Sequence, residues 1–248
     1  MSKYIKSLEE DGRPQLLQLA LLVVFTLMIL VLFIFWRKRK SAGNTILLMG
    51  LSDSGKTLIY TRIFYAKILS CAKLCQTYRS MKENIGTITV NNRSLKLVDI
   101  PGDERLRNKY FDKYKSSVKG LVYVIDSVTI QKEIKDVAEY LYNLLSDSDI
   151  KNVPVLILCN KQDQTMAKGC AVIKTLLEKE INVLRITKTS QLQATDASST
   201  NVFLGKQEKH FEFSHLDLQL DFAESYALAK DPQTVNIEEL DKWLHKIA

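Results

Sequence analysis

Gly50-Leu51-Ser52-Asp53-Ser54-Gly55-Lys56-Thr57 fills the template Gly-x-x-x-x-Gly-Lys-Ser/Thr, and the apolar run Ile46-Leu47-Leu48-Met49 stands directly before it. A turn of this composition between a strand and a helix wraps a polyphosphate. The glycines let the backbone close in, successive N–H groups point inward, Lys56 reaches the outer phosphates and Thr57 offers a hydroxyl to magnesium. The residues from Thr57 to Leu69 supply the helix that such a loop opens. Strand, phosphate-binding loop and helix are therefore predicted in that order.

Outward from the loop, apolar runs recur at Ile46–Met49, Leu95–Ile100, Leu121–Ile125 and Val153–Cys159. These runs look like strands buried on both faces, as in a mostly parallel sheet. Helical patterns separate them at Thr57–Leu69, Glu104–Lys115, Ile130–Leu145 and Met166–Leu184. This alternation predicts an α/β layered domain over residues 45–248. The Ser-, Thr-, Gln- and Ala-rich stretch from Thr187 to Lys209 breaks the rhythm and reads as a mobile polar loop. Leu216–Phe222 then alternates, as a strand near the sheet edge does. In the closing helix Asn236 is placed to cap and Glu239 to complete a capping box, while Ile237, Leu240, Leu244 and Ile247 share a face with Trp243 beside them. That face predicts docking onto the sheet.

The 248-residue chain carries an appendage before this domain. From Leu16 to Trp36 no charged residue occurs, and at about 1.5 Å per residue the run covers about 30 Å, the hydrocarbon thickness of a bilayer. One transmembrane helix over 16–36 is the expectation. Glu9, Glu10 and Asp11 ahead of it argue against a cleaved signal peptide, and the lack of a polar stripe argues against a core helix. Arg37-Lys38-Arg39-Lys40 follows, so the positive-inside rule puts the domain in the cytosol, residues 1–15 in a lumen and 37–44 in a basic linker. Those basic residues also supply a good part of the formal net charge of +7, which therefore implies no nucleic-acid partner. Cys71, Cys75, Cys159 and Cys170 fall in the cytosolic part, where thiols stay reduced. With three scattered histidines they lack zinc-site spacing and read as packing residues.

Asp99-Ile100-Pro101-Gly102 follows Leu95–Val98 and sets an acid at a strand's carboxyl end, where open α/β sheets bind ligands. Downstream of a phosphate-binding loop, Asp99 reads as an acid acting on Mg²⁺ through water, and Gly102 as the source of a backbone N–H for the γ-phosphate. Asn160-Lys161-Gln162-Asp163 ends the run Val155–Cys159 and selects the base. A carboxylate at Asp163 accepts from the N1–H and exocyclic amine of guanine, a pair that adenine does not present. Asn160 contacts the purine or neighbouring loops, and the aliphatic stem of Lys161 lies along the base. Three ordered motifs, each after a strand, predict a site for GTP and Mg²⁺.

Through Asn160–Asp163 and Gly120-Leu121-Val122-Tyr123-Val124-Ile125-Asp126-Ser127 the chain resembles the small Ras-like GTPases, more closely their Arf and Sar branch. Arf and Sar proteins use an amphipathic amino terminus, and a myristoylated one needs Gly at position 2, where this chain has Ser2 and a full apolar span. With Leu106-Arg107, Lys135-Asp136-Val137-Ala138-Glu139 and Leu240-Asp241-Lys242-Trp243-Leu244, the whole chain is similar to the β subunits of the signal recognition particle receptor. The resemblance implies a P-loop GTPase domain held at the endoplasmic reticulum membrane by a single pass, with GTP and Mg²⁺ as ligands. It implies a heterodimer with the receptor α subunit, whose amino-terminal domain is gripped by a surface that GTP orders, in support of delivering ribosome–nascent chain complexes to the translocon. The nucleotide contacts it carries over are Gly50 to Thr57, Leu58, Ser80, Asp99, Gly102, Asn160, Lys161, Asp163 and Ala227, with Thr57 and Ser80 on the metal.

Three positions depart from the family pattern. Ras-like enzymes place Gln after Asp-x-x-Gly to orient the attacking water, whereas this chain has Asp103, and slow intrinsic hydrolysis is the expectation. The first-switch Thr that meets Mg²⁺ has no clean counterpart: Ser80, nineteen residues before Asp99, is close to the Arf spacing, with Thr77 and Thr87 as alternatives. The base-closing motif survives as Phe222-Ala223-Glu224-Ser225-Tyr226-Ala227-Leu228, which gives the Ala227 N–H to the guanine oxygen. A permanently anchored Arf- or Sar-like GTPase of vesicle coats is the competing function, disfavoured by Asp103 and the span. An ATPase or kinase conflicts with Asp163.

Overall fold

The computed structural model describes residues 21–30, 43–68, 80–194, 204–206, 209–228 and 235–248. The chain divides into two units, Met1–Ala42 and Gly43–Ala248. In the first, residues 21–30 form helix α1 with exposed apolar side chains, and Thr26 Oγ1 donates to Val23 O at 2.9 Å. The hydroxyl is thereby satisfied within its own helix. Among the described residues no helix is long and apolar enough to cross a membrane. Positions 16–20 and 31–36 of the predicted span, and the basic run 37–40, lie outside them.

The second unit is one six-stranded sheet between helices. Along the chain run β1 (Thr45–Met49), α2 (Lys56–Ile68), β2 (Asn84–Val90), β3 (Arg93–Asp99), α3 (Glu104–Tyr114), β4 (Val118–Asp126), α4 (Ile130–Ser146), β5 (Val155–Asn160), α5 (Cys170–Ala194), β6 (Leu220–Glu224) and α6 (Glu238–Ile247). The strand order is β2-β3-β1-β4-β5-β6, parallel throughout except for the antiparallel β2–β3 pair. Side chains of β1 alternate between two cores: Leu47 and Met49 join α4 and α5, while Ile46 and Leu48 join α2 and α6. All four are fully buried, which is why the run reads as uninterrupted apolar sequence. Each contributes about 1.5–3 kcal/mol of burial.

The docking of α6 is as predicted: Leu240, Trp243 and Leu244 are buried, and a Cβ at Gly120 of β4 would meet Ile247 Cδ1 at 2.6 Å and Trp243 Cη2 at 2.9 Å. Its start is not as predicted. Ile237 is the N-cap with no side-chain hydrogen bond, and the backbone of Asn236 is instead bridged to Tyr226. Three further expectations are corrected. Strand β2 was not predicted, because its apolar positions alternate with exposed Thr87 and Thr89. The edge strand begins at Leu220, after a short 3₁₀ turn at Phe213–His215, rather than at Leu216. Helix α5 runs to Ala194, so 187–194 of the predicted loop are helical. Thr187 Oγ1 donates to Val183 O of its own helix at 3.0 Å and Lys188 Nζ reaches Asn143 Oδ1 of α4 at 2.7 Å, so the polar residues of this last stretch find partners within the helix and on its neighbour. Leu204, also inside the predicted loop, is buried, and 195–203 and 207–208 lie outside the described residues.

Candidate functional site

Every predicted motif falls at the carboxyl end of a parallel strand, where the sheet leaves a crevice. After β1 the chain turns at Gly50 with φ +140° and re-enters a helix at Gly55 with φ +94°, conformations that other residues rarely adopt. Space is as restrictive as angle: a Cβ at position 50 would lie 2.2 Å from Val124 O, and at position 55 it would lie 2.3 Å from Asn160 Nδ2. Asp53 also takes a positive φ, 62°. Lys56 folds back over the loop, its Nζ donating to Leu51 O at 2.6 Å and lying 3.5 Å from Ser54 Oγ. Burial pulls its pKa down to about 8, against the pull of the Asp99 and Asp53 carboxylates. Leu58 packs its side chain on the α2 core.

Thr57 Oγ1 donates to Asp99 Oδ2 at 2.7 Å and lies 3.0 Å from Ser80 Oγ. Asn84 Nδ2 donates to the same Asp99 oxygen at 2.8 Å. Burial raises the pKa of Asp99, opposed by these hydrogen bonds and by Lys56. Asp99 Oδ1 is buried with no hydrogen-bond partner among the described residues. Two hydroxyls beside a carboxylate with a spare oxygen form a hard donor set of the kind Mg²⁺ takes together with phosphate oxygens, so the residues fit that ion. Of the alternatives to Ser80, Thr87 stands exposed within β2 and Thr77 lies outside the described residues.

Gly102 presses its backbone on the phosphate loop, since a Cβ there would meet Ser52 N at 2.3 Å. Asp103 is the N-cap of α3, Oδ1 accepting from Arg105 N at 3.0 Å.

At the other end of the crevice Asn160 is buried and ties the loops together: Nδ2 donates to Ser54 O at 2.8 Å, and Oδ1 accepts from Ser225 Oγ at 3.3 Å. Lys161 turns out of β5 with φ 67°, and its Nζ donates to Asp126 Oδ2 at 2.7 Å. Burial would raise the Asp126 pKa, but the Lys161 hydrogen bond and two backbone N–H groups outweigh it and hold the pKa low. Gln162 braces the turn, Nε2 donating to Ser127 Oγ and Lys168 O, both at 2.9 Å. Asp163 is exposed beyond it.

Ala227 is buried beside this turn. Its preceding peptide is fixed because Tyr226 O accepts from Asn236 N, and its own carbonyl accepts from Arg62 Nε at 3.2 Å. In a trans peptide the Ala227 N–H points opposite to the Tyr226 carbonyl, and it donates to no backbone carbonyl among the described residues.

The predicted residues thus gather at two ends of one crevice, joined by Asn160. Arg62, Asn84, Asp126 and Ser225 are additions to the predicted set. Asp126 had a signal, an acid closing an apolar strand, and Arg62 another, a charge within an apolar helical pattern. Ser225 stood inside the base-closing stretch, and Asn84 had no signal.

Residues 41–220 match the family described as signal recognition particle receptor beta subunit. Signal recognition particle receptor subunit beta of Rattus norvegicus is 41% identical over 256 residues, covering 99% of this chain and 93% of the rat protein. A solved structure of the mammalian SRP receptor shares 41% identity at a TM-score of 0.70, over 82% of this chain and 100% of that one. The SRb-GTP/SRX complex of Chaetomium thermophilum, 20% identical with a TM-score of 0.65 over 82% and 98% of the respective chains, has the same fold.

Proposed function

The chain belongs to the signal recognition particle receptor beta subunit family, and from that premise we propose that it is a GTP-switched membrane anchor, holding the receptor α subunit at the endoplasmic reticulum in step with its bound nucleotide. The observation that carries this reading is the contact of Thr57 with both Ser80 and Asp99, because it joins three separate segments of the chain at the mouth of the phosphate loop. Thr57 and Ser80 would hold Mg²⁺ directly and Asp99 through water; the ion supplies charge neutralisation to the β- and γ-phosphates. Ser80 leads into β2 and Gly102 into α3, so a partner surface built on those two segments responds to what occupies the loop.

The geometry supports the remaining roles. Lys56 meets the phosphates, Asp163 reads the N1–H and amine of guanine, and the spare Ala227 N–H reads its oxygen. Asn160 keeps base and phosphate loops in register, and Lys161, pinned by Asp126, lays its stem along the base. With the acid Asp103, which caps α3, in place of the water-orienting Gln, intrinsic hydrolysis is slow and the output is binding rather than product.

Membrane attachment rests on residues 16–36, with 1–15 luminal and the basic 37–44 at the cytosolic face. The exposed apolar side chains of α1 support it. The receptor α subunit is the direct partner, with ribosome and translocon reached through it and no nucleic acid bound directly. Capture of the α subunit's amino-terminal domain by the full chain in detergent tests the reading. Several-fold greater capture with a non-hydrolysable GTP analogue than with GDP is expected; equal capture would remove the switch, and no capture in either form would remove the partner.

A further inference from the structure

The geometry points to Arg62 as a positioning residue for guanine recognition: from α2 it fixes the peptide of Ala227, so that the Ala227 N–H meets the purine 6-oxygen. This rests on the base reading above. Arg62 lies on the helix that the phosphate loop opens, six positions after Lys56, and it is buried, as are Ile59 and Ile63 of the same helix. Carrying a guanidinium into such surroundings is unfavourable, and an apolar side chain of similar length would pack there without that penalty. Its Nη2 has no hydrogen-bond partner among the described residues, which leaves the Nε bond to Ala227 O as the contact of consequence.

That bond falls where the loop has least support. Strand β6 ends at Glu224, and Ser225 is still held through its N–H to Cys159 O. Beyond it the peptide before Ala227 is clamped by the Asn236 bridge and the peptide after it by Arg62. The two clamps bracket the spare N–H and constrain both backbone torsions of Ala227. A donor fixed in advance favours an acceptor at purine position 6, as in guanine, and disfavours the amino group that adenine carries there. The first clamp is backbone on both sides; the second is a side chain and is open to substitution.

The test uses the full chain in detergent with three diphosphates. GDP is the reference. 6-Thio-GDP keeps the N1–H and amine but puts a weak acceptor at position 6, and IDP lacks the amine that Asp163 reads. Arg62→Gln and Arg62→Met remove the same charge at similar length, and only Gln keeps a nitrogen donor where Nε stood. Arg62→Met is expected to weaken GDP binding about fivefold, to change 6-thio-GDP little, and to leave the GDP-to-IDP ratio unmoved. Arg62→Gln is expected to retain the wild-type preference for GDP over 6-thio-GDP. Equal weakening of all three nucleotides by Arg62→Met, or a preference lost in Arg62→Gln, would overturn the assignment; the Gln variant decides it even if the Met variant fails to fold. Wild-type chain that ignores the change at position 6 would instead overturn the Ala227 reading on which it rests.

Discussion

Asp103 Oδ1 accepts a hydrogen bond from the Arg105 N–H at 3.0 Å, which makes the residue after Asp-x-x-Gly the cap of α3. An N-terminal carboxylate satisfies an orphan donor and meets the positive end of the helix. A carboxylate at this position, unlike the Gln of Ras-like enzymes, would sit beside a negatively charged γ-phosphate and suits the cap better than the orienting of an attacking water. Asp103→Ala is therefore expected to reduce stability by about 1 kcal/mol and the melting temperature by about 2–4 °C, while leaving the rate of GTP hydrolysis unchanged. A large fall in that rate with unchanged melting would show the carboxylate at work in the chemistry.

The proposed contact of Lys56 with the phosphates predicts that nucleotide binding depends on pH. The Lys56 pKa of about 8 lies below the ordinary 10.5 because burial disfavours the charged form. Between those values the unfolded chain binds the extra proton, so this residue adds stability to the nucleotide-free protein as pH rises through that window. Phosphates beside Nζ restore the charge. Binding of GDP above pH 8 should take up a proton and weaken as pH rises, whereas near pH 7 little uptake should occur. Calorimetry at pH 9 in two buffers of different ionisation heat measures this directly; identical apparent enthalpies would place Lys56 away from the phosphates.

Asp163 is exposed at the end of a turn braced by Gln162, an arrangement that presents the carboxylate without spending it on the protein. Two charge-assisted hydrogen bonds to guanine are worth about a hundredfold in affinity. Asp163→Asn is expected to lose about that factor for GDP and to gain preference for the xanthine nucleotide, whose 2-oxygen accepts from the new amide. Competition between GDP and XDP reads the exchange, and an unaltered order of preference would reassign the base contact.

The legible and illegible parts of this chain separate by which interaction fixes each residue. Strands β1, β3, β4 and β5 were readable because burial on both faces makes most of their residues apolar, and the phosphate loop because Gly50 and Gly55 have neither the angle nor the room for a side chain. Strand β2 was hidden by its exposed face. The length of α5 was hidden because Lys188 stabilises the helix through a partner on another helix, information absent from its own neighbourhood. The base loop was legible in part: Asp163 belongs to a contiguous motif, but the hold on Ala227 comes from Arg62, which lies 165 positions away.

Ser80 gives the sharpest prediction, because spacing left it among three candidates and geometry separates it from Thr87. Its Oγ lies 3.0 Å from Thr57 Oγ1 in the cluster that contains Asp99, whereas Thr87 is exposed on β2. Ser80→Ala removes one hard oxygen from the proposed Mg²⁺ set and should raise the Mg²⁺ concentration needed to slow nucleotide release by about tenfold. Loss of a contact that joins the segment before β2 to the loop should also reduce nucleotide-dependent capture of the α subunit. Thr87→Ala removes a hydroxyl from the same region of sequence without touching the cluster and should change neither quantity. Mg²⁺ titrations of nucleotide off-rates in both variants decide the matter: a larger effect at Thr87 than at Ser80 would mean that the metal draws its first-switch ligand from β2, and the switch surface would have to be rebuilt around that strand.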